Sequence, residues 1–153
     1  MDEPRPNETD GPEYDVDFRA EPTRYRVERG EQGAFKTEPY KSELLPLWGY
    51  VDRERADEAG ERLYRCFEAY RRLGEFPGQD MARKYLQMGY TRAMRYARYP
   101  GGQKYVDGEE RDPEHWADHD KREAALVFDR WLSLVEGDET YVEAREQWRE
   151  TRG

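Results

Sequence analysis

The sequence predicts an all-α domain: a helical hairpin, one or two further helices, and an aromatic-rich irregular segment that packs against them. Three observations carry this. Apolar residues recur at spacings of three and four through three long stretches. Glycine or proline follows each of them. No run alternates apolar and polar residues as a half-buried strand would.

Residues 1–22 hold eight acids, two bases and Pro4, Pro6, Pro12 and Pro22, with little to bury. They are expected to form an acidic disordered tail ahead of a single helical domain over 23–150. Residues 23–48 contain Gly30, Gly33, Pro39 and Pro46 and keep no period. This reads as an ordered, loop-rich segment with one helical turn at 42–45, packed through Tyr25, Phe35, Tyr40, Leu44, Leu45 and Trp48.

Ala56, Ala59, Leu63, Cys66, Phe67 and Tyr70 share one face of a helix expected over 52–73 and ended by Gly74. A second is expected over 80–99, with Asp80 as N-cap and Pro100, Gly101 and Gly102 as its stop. Ala82, Tyr85, Leu86, Gly89, Tyr90, Ala93, Tyr96 and Ala97 form its apolar side; Lys84, Gln87, Thr91, Arg95 and Arg98 form the opposite one. The linker 75–79 is short enough to fold the pair into an antiparallel hairpin, with Gly89 letting the two helices approach closely. After a polar loop over 101–114, a third helix carries Ala124, Ala125, Phe128, Trp131, Leu132 and Val135 and stops near Gly137. A fourth, over 139–149, offers Tyr141, Val142 and Trp148.

Composition bounds the function classes. Of 153 residues, 35% are hydrophobic and 14% aromatic, and isoleucine is absent, so the core leans on Tyr, Trp and Phe. The single cysteine, Cys66, excludes an internal disulfide and a thiolate metal cage; no disulfide-linked partner is expected, which fits a reducing compartment. Residues 1–15 have neither a basic start nor an apolar stretch, and no apolar run approaches the ~20 residues of a membrane span. The expectation is a soluble, cytoplasmic protein. A net charge of -9, with 21 arginines against five lysines and a single asparagine, matches the composition of proteins from salt-loving microbes. The acidity reads first as a hydrated surface.

Three blocks, YRVERGEQGAFKTEPYKSELLPLW, FPGQDMARKYLQMGYTRAMRYARYPGGQKY and, less closely, DPEHWADHDKREAALVFDRW, make the chain resemble the domain-of-unknown-function family 4385. The resemblance covers about 16–148. It implies a domain architecture shared by cellular and viral proteins, and it brings no activity with it.

Charge along the chain points to the candidate site. Residues 81–105 carry six bases (Arg83, Lys84, Arg92, Arg95, Arg98, Lys104) and no acid, while 106–153 sum to -8 and 1–22 to -6. Lys84, Arg95, Arg98 and Lys104, with Arg83 and Arg92 at the edges and Tyr99 and Tyr105 interleaved, are expected to form a face for an anionic partner, foremost nucleic acid. A solvated helix face explains the same charges, and so does a patch covered by the acidic termini. The alternative function is an enzyme on a phosphorylated or otherwise anionic small molecule. The arginines would then clamp the anion, and Glu31 or Glu43 would transfer protons if their segments converge. A scaffold without a ligand is the third class.

No cofactor is expected. PGGQKY lacks the phosphate-loop spacing, and Tyr105 stands where a magnesium-binding hydroxyl is needed. His115 and His119, four apart among acids, have the spacing of two metal ligands on one helical turn, and a solvated helix start accounts for them equally well. Ser42 and Ser133 lack a local histidine, and Cys66 falls on an apolar face where a thiol is inert.

Overall fold

In the computed structural model, residues 16–28, 30–110, 112 and 118–152 are described. Five α-helices follow in order: α1 Tyr40–Leu44, α2 Arg53–Leu73, α3 Phe76–Arg98, α4 His119–Glu136 and α5 Glu139–Arg152. Among the described residues the protein is all-α apart from one small hairpin, β1 Tyr105–Val106 and β2 Glu109–Glu110, inside the expected polar loop. Asp107 and Gly108 turn it with φ of 53° and 81°. An Asp-Gly pair suits this two-residue turn. Strands of two residues are too short to leave an alternating pattern.

Helix α2 ends as its sequence dictates. Asp52 accepts a hydrogen bond from the Arg55 N–H at 2.8 Å, and Gly74 caps the C-terminus in the left-handed region at φ 72°. Helix α3 corrects the expectation: it starts at Phe76, with Pro77 in its first turn, so only Gly74 and Glu75 separate the two helices. Proline is tolerated in a first turn because its missing N–H would have no intrahelical partner there. Asp80 lies inside the helix and caps nothing.

Helix α3 is the central element, packed against α2 and α4, while α4 also packs against α2. Ala56, Ala59, Leu63, Phe67 and Tyr70 of α2 are buried as their spacing predicts. Cys66 is a half-buried free thiol that burial pushes up in pKa, consistent with an inert side chain. Gly89 does not bring α2 and α3 together as expected; it admits the Phe128 ring of α4, which would lie 2.6 Å from a Cβ added there. Gly60 of α2 admits the Trp131 indole in the same way. The two glycines therefore seat α4.

Residues 16–19, expected to belong to the tail, make contacts with the domain. Val16 is buried, and Phe18 meets the Tyr25 ring edge-on at 6.0 Å. Arg19 grips Glu43 through both terminal nitrogens at 2.8 Å and also binds Glu75. The first 15 residues of the tail expected over 1–22 lie outside the described residues. Helix α5 closes the other side, with Trp148 stacked on Phe76 at 4.8 Å and donating to the Tyr25 carbonyl at 2.8 Å. Among the described residues, no helix is long and apolar enough to cross a membrane.

Candidate functional site

The site is built on a buried carboxylate. Asp80 has no solvent exposure. Tyr141 of α5 donates to its Oδ1 at 2.6 Å, and Tyr25 donates to its Oδ2. Arg83 Nε lies 3.3 Å from Oδ1 and Arg145 Nε 3.7 Å from the same atom. Burial alone would raise the pKa of this carboxyl; the Arg83 charge, the two tyrosine hydrogen bonds and Arg145 outweigh it and hold the group below its ordinary value. Asp80 therefore stays charged and neutralises part of the arginine charge above it.

Beside the arginines held by this carboxylate, α3, α5 and the residues Glu28, Gly30 and Glu31 line a pocket of about 590 Å³. Arg83 and Lys84 of α3 and Arg145 and Arg149 of α5 line it, facing Glu28 and Glu31. Arg83 is fixed by Asp80 and by a 2.5 Å hydrogen bond to Gln87. Arg149 is exposed and makes no ion pair among the described residues. Arg145 Nε is buried and lacks a hydrogen-bond partner among them. Glu31 is already bound to Arg92 at 2.7 Å, so the lining keeps an excess of positive charge. Burial, reinforced by Arg83 and Arg145, pushes the Lys84 ammonium down in pKa, against the opposing charges of Asp80 and Glu28.

A second pocket of about 430 Å³ adjoins the first, sharing Glu31 and Thr91 and continuing to Tyr50, Arg92, Arg95 and Tyr96. The Tyr50 and Tyr96 rings lie 6.3 Å apart, tilted by 37°. Together the two pockets form a groove along α3.

The basic residues expected on one open face of α3 are divided: Arg95 and Arg98 are exposed, whereas Lys84 and Arg83 are buried. Lys84, placed on the polar side by its spacing, is 5% exposed, and Arg83 is buried with it, because α5 and the residues Glu28, Gly30 and Glu31 lie on that side. Tyr96, placed on the apolar side, reaches the surface. The acids missing from residues 81–105 come from elsewhere: Asp80 to Arg83, Glu31 to Arg92 and Glu110 to Lys104 at 3.3 Å. Arg95 Nε donates to the Gly102 carbonyl at 2.6 Å. Arg98 is exposed and has no ion pair among the described residues. Tyr99 is buried, whereas Tyr105 is 56% exposed with the Lys104 ammonium 5.8 Å from its ring centroid.

Glu31 and Glu43 are held by different arginines. Glu31 sits in the groove; Glu43 accepts from Arg19 and, at 2.6 Å, from the Tyr70 hydroxyl. His119 is 70% exposed and lies 3.6 Å from Glu123; His115 lies outside the described residues. Among the described residues, no three His, Cys, Asp or Glu side chains gather as a metal site would need.

Arg145 and Arg149 escaped the reading of segment charge because they stand in the most acidic stretch of the chain. Their signal was spacing: four residues apart, they share one face of the fourth helix with Tyr141.

The sequence profile of a family described as Domain of unknown function (DUF4385) matches residues 8–151. The chain belongs to this family. The match takes in every residue that lines the α3–α5 pocket, so in this DUF4385 chain the site lies wholly within the family domain. No curated protein and no solved structure matches the chain.

Proposed function

We propose that the pocket lined by α3, α5 and the residues Glu28, Gly30 and Glu31 binds a phosphorylated or otherwise anionic small molecule. The observation that carries this reading is the convergence of Arg83, Lys84, Arg145 and Arg149 on one concavity of about 590 Å³. That volume falls within the range of roughly 300–1,000 Å³ usual for small-ligand sites. Guanidinium groups suit phosphate because their planar fork gives two parallel hydrogen bonds, and Arg83 is held ready by Asp80 and Gln87. Such contacts also persist in a salt-loaded solution, where the Debye length shrinks to ~3 Å at 1 M and diffuse attraction is lost.

The adjoining pocket favours nucleic acid as the second reading. A phosphate chain could run from the arginine pocket along α3 toward Arg92 and Arg95, with bases on Tyr50 and Tyr96. Both readings separate in one experiment. Melting temperature is measured against inorganic phosphate, pyrophosphate and a single-stranded oligonucleotide, at low and high salt. A small-anion site gives stabilisation that grows with the logarithm of phosphate or pyrophosphate concentration. It is lost in Arg149→Glu and kept in Arg98→Glu, which lies outside the pocket. Oligonucleotide binding that needs Arg95 and fades steeply with salt supports the second reading instead. No response to any of the three anions refutes both.

A further inference from the structure

We propose that Lys84 is a nucleophilic amine of this pocket, its Nζ condensing with the carbonyl carbon of a small anionic aldehyde or ketone held by Arg83, Arg145 and Arg149. The inference rests on the anion-binding reading of the same site for the position of the substrate's charged group.

The placement of the amine carries it. Lys84 is buried, and its one hydrogen bond among the described residues runs from Nζ to the backbone carbonyl of Glu28 at 3.1 Å. No carboxylate stands within ion-pair distance of it among those residues. A lysine buried for structural reasons ordinarily pairs with an acid, because an unpaired buried ammonium is costly. Lys84 instead forms part of the wall between two pockets: the arginine-lined one, and a neighbour of about 240 Å³ bounded by Val16, Phe18, Tyr25, Thr37 and Met81. Lys84 thus borders both pockets while only 5% of its surface is exposed.

The charges around it act in the same direction. Arg83 is next in the chain and Arg145 faces it from α5; together with burial they favour the neutral amine against Asp80 and Glu28. Desolvation and a neighbouring cation are the two means by which a lysine becomes nucleophilic near neutral pH. The other lysines differ. Lys104 pairs with Glu110, Lys121 donates to the Val51 carbonyl at 2.7 Å, and Lys41 lines neither pocket. Lys36 borders the smaller pocket only.

The step balances without a co-reactant. The nitrogen lone pair attacks the carbonyl carbon to give a carbinolamine. Formation of the C=N bond then expels the carbonyl oxygen, which leaves as water with the two amine hydrogens. The carboxylate or phosphate of the substrate stays on the arginines throughout.

Reductive trapping on the full chain tests this. Glyoxylate, an aldehyde that carries a carboxylate, is added with cyanoborohydride, and the modified lysines are located by peptide mapping. The expected result is a single adduct on Lys84, suppressed by inorganic phosphate, with a labelling rate that rises at lower pH than that of Lys121. Labelling spread over Lys36, Lys104 and Lys121 with Lys84 spared overturns the proposal and leaves Lys84 as a structural donor to Glu28. The mapping uses the unaltered protein, so it does not depend on whether Lys84→Met folds. Phosphate-induced thermal stabilisation is measured in parallel. Stabilisation without Lys84 labelling refutes the nucleophile alone. Selective labelling without stabilisation supports the nucleophile and removes the arginine clamp.

Discussion

The hydroxyl of Tyr141 donates to Asp80 Oδ1 at 2.6 Å, tying α5 to α3 across 61 positions of the chain. Tyr25 takes the other carboxylate oxygen, so one buried anion fastens three segments and holds two of the arginines that line the pocket. Tyr141→Phe removes one hydrogen bond to a charged group and should cost about 1.5–3 kcal/mol. Asp80→Ala leaves Arg83 buried without its counter-charge and should cost more, about 3–5 kcal/mol. Urea unfolding of the two variants checks the order; equal costs would mean that Asp80 is no hub.

Acid stability should carry the signature of two depressed carboxyls. Asp80 is lowered as described, and Glu43 is held below its ordinary value by the Arg19 hydrogen bonds and by Tyr70, against some burial. A group with a depressed folded-state pKa stabilises above its unfolded pKa and loses that contribution as pH falls through the folded value. Stability should therefore hold down to about pH 4, the unfolded carboxyl range, and decline below it. In Asp80→Asn the decline should be shallower, as read from urea midpoints across the acid range.

Gly89→Ala and Gly60→Ala should both destabilise, although alanine favours an exposed helix over glycine by about 1 kcal/mol. The new Cβ meets the Phe128 ring in one case and the Trp131 indole in the other. Overpacking of this kind costs roughly 1–3 kcal/mol. Adding Phe128→Leu to Gly89→Ala should recover part of the loss in thermal melts; an unchanged or raised melting temperature in the single variants would show that α4 can retreat.

Phe67 and Leu86 are fully buried in the common core. Phe67→Ala should cost about 3–5 kcal/mol and Leu86→Ala about 2–5 kcal/mol, enough to unfold a domain of ordinary stability. Circular dichroism of the purified variants decides it. Native melting temperatures in both would contradict this core.

Removing residues 1–22 should lower the melting temperature, because the deletion takes Val16, Phe18 and the Arg19 bridge to Glu43 and Glu75. Arg19→Ala alone should cost less, since its ion pairs are partly exposed and pairs of that kind contribute about 0–1 kcal/mol. A deletion no more harmful than Arg19→Ala would show that Val16 and Phe18 add little.

The four long helices were legible from the amino acids because their cause is local. Three-and-four spacing, the Asp52 cap and the Gly74 stop act within a few residues of the backbone they shape. The aromatic character of the core followed from composition in the same way. Direction was the illegible part. From Phe76 to Leu86 every residue of α3 is buried, so no face of that stretch is marked as the inward one and periodicity misplaces Lys84. Which charges meet depends on contacts far apart in the chain: Glu31 with Arg92, Asp80 with Arg145, Arg19 with Glu43. The acid-free stretch was read as a basic face on its own, yet Arg145 and Arg149 meet Arg83 and Lys84 from a net acidic part of the sequence. Net charge sums over a segment, whereas a binding pocket selects side chains by position in space. The helices were thus set by local backbone chemistry, and the pocket by the docking of α5 and the N-terminal segment onto α3 around Asp80.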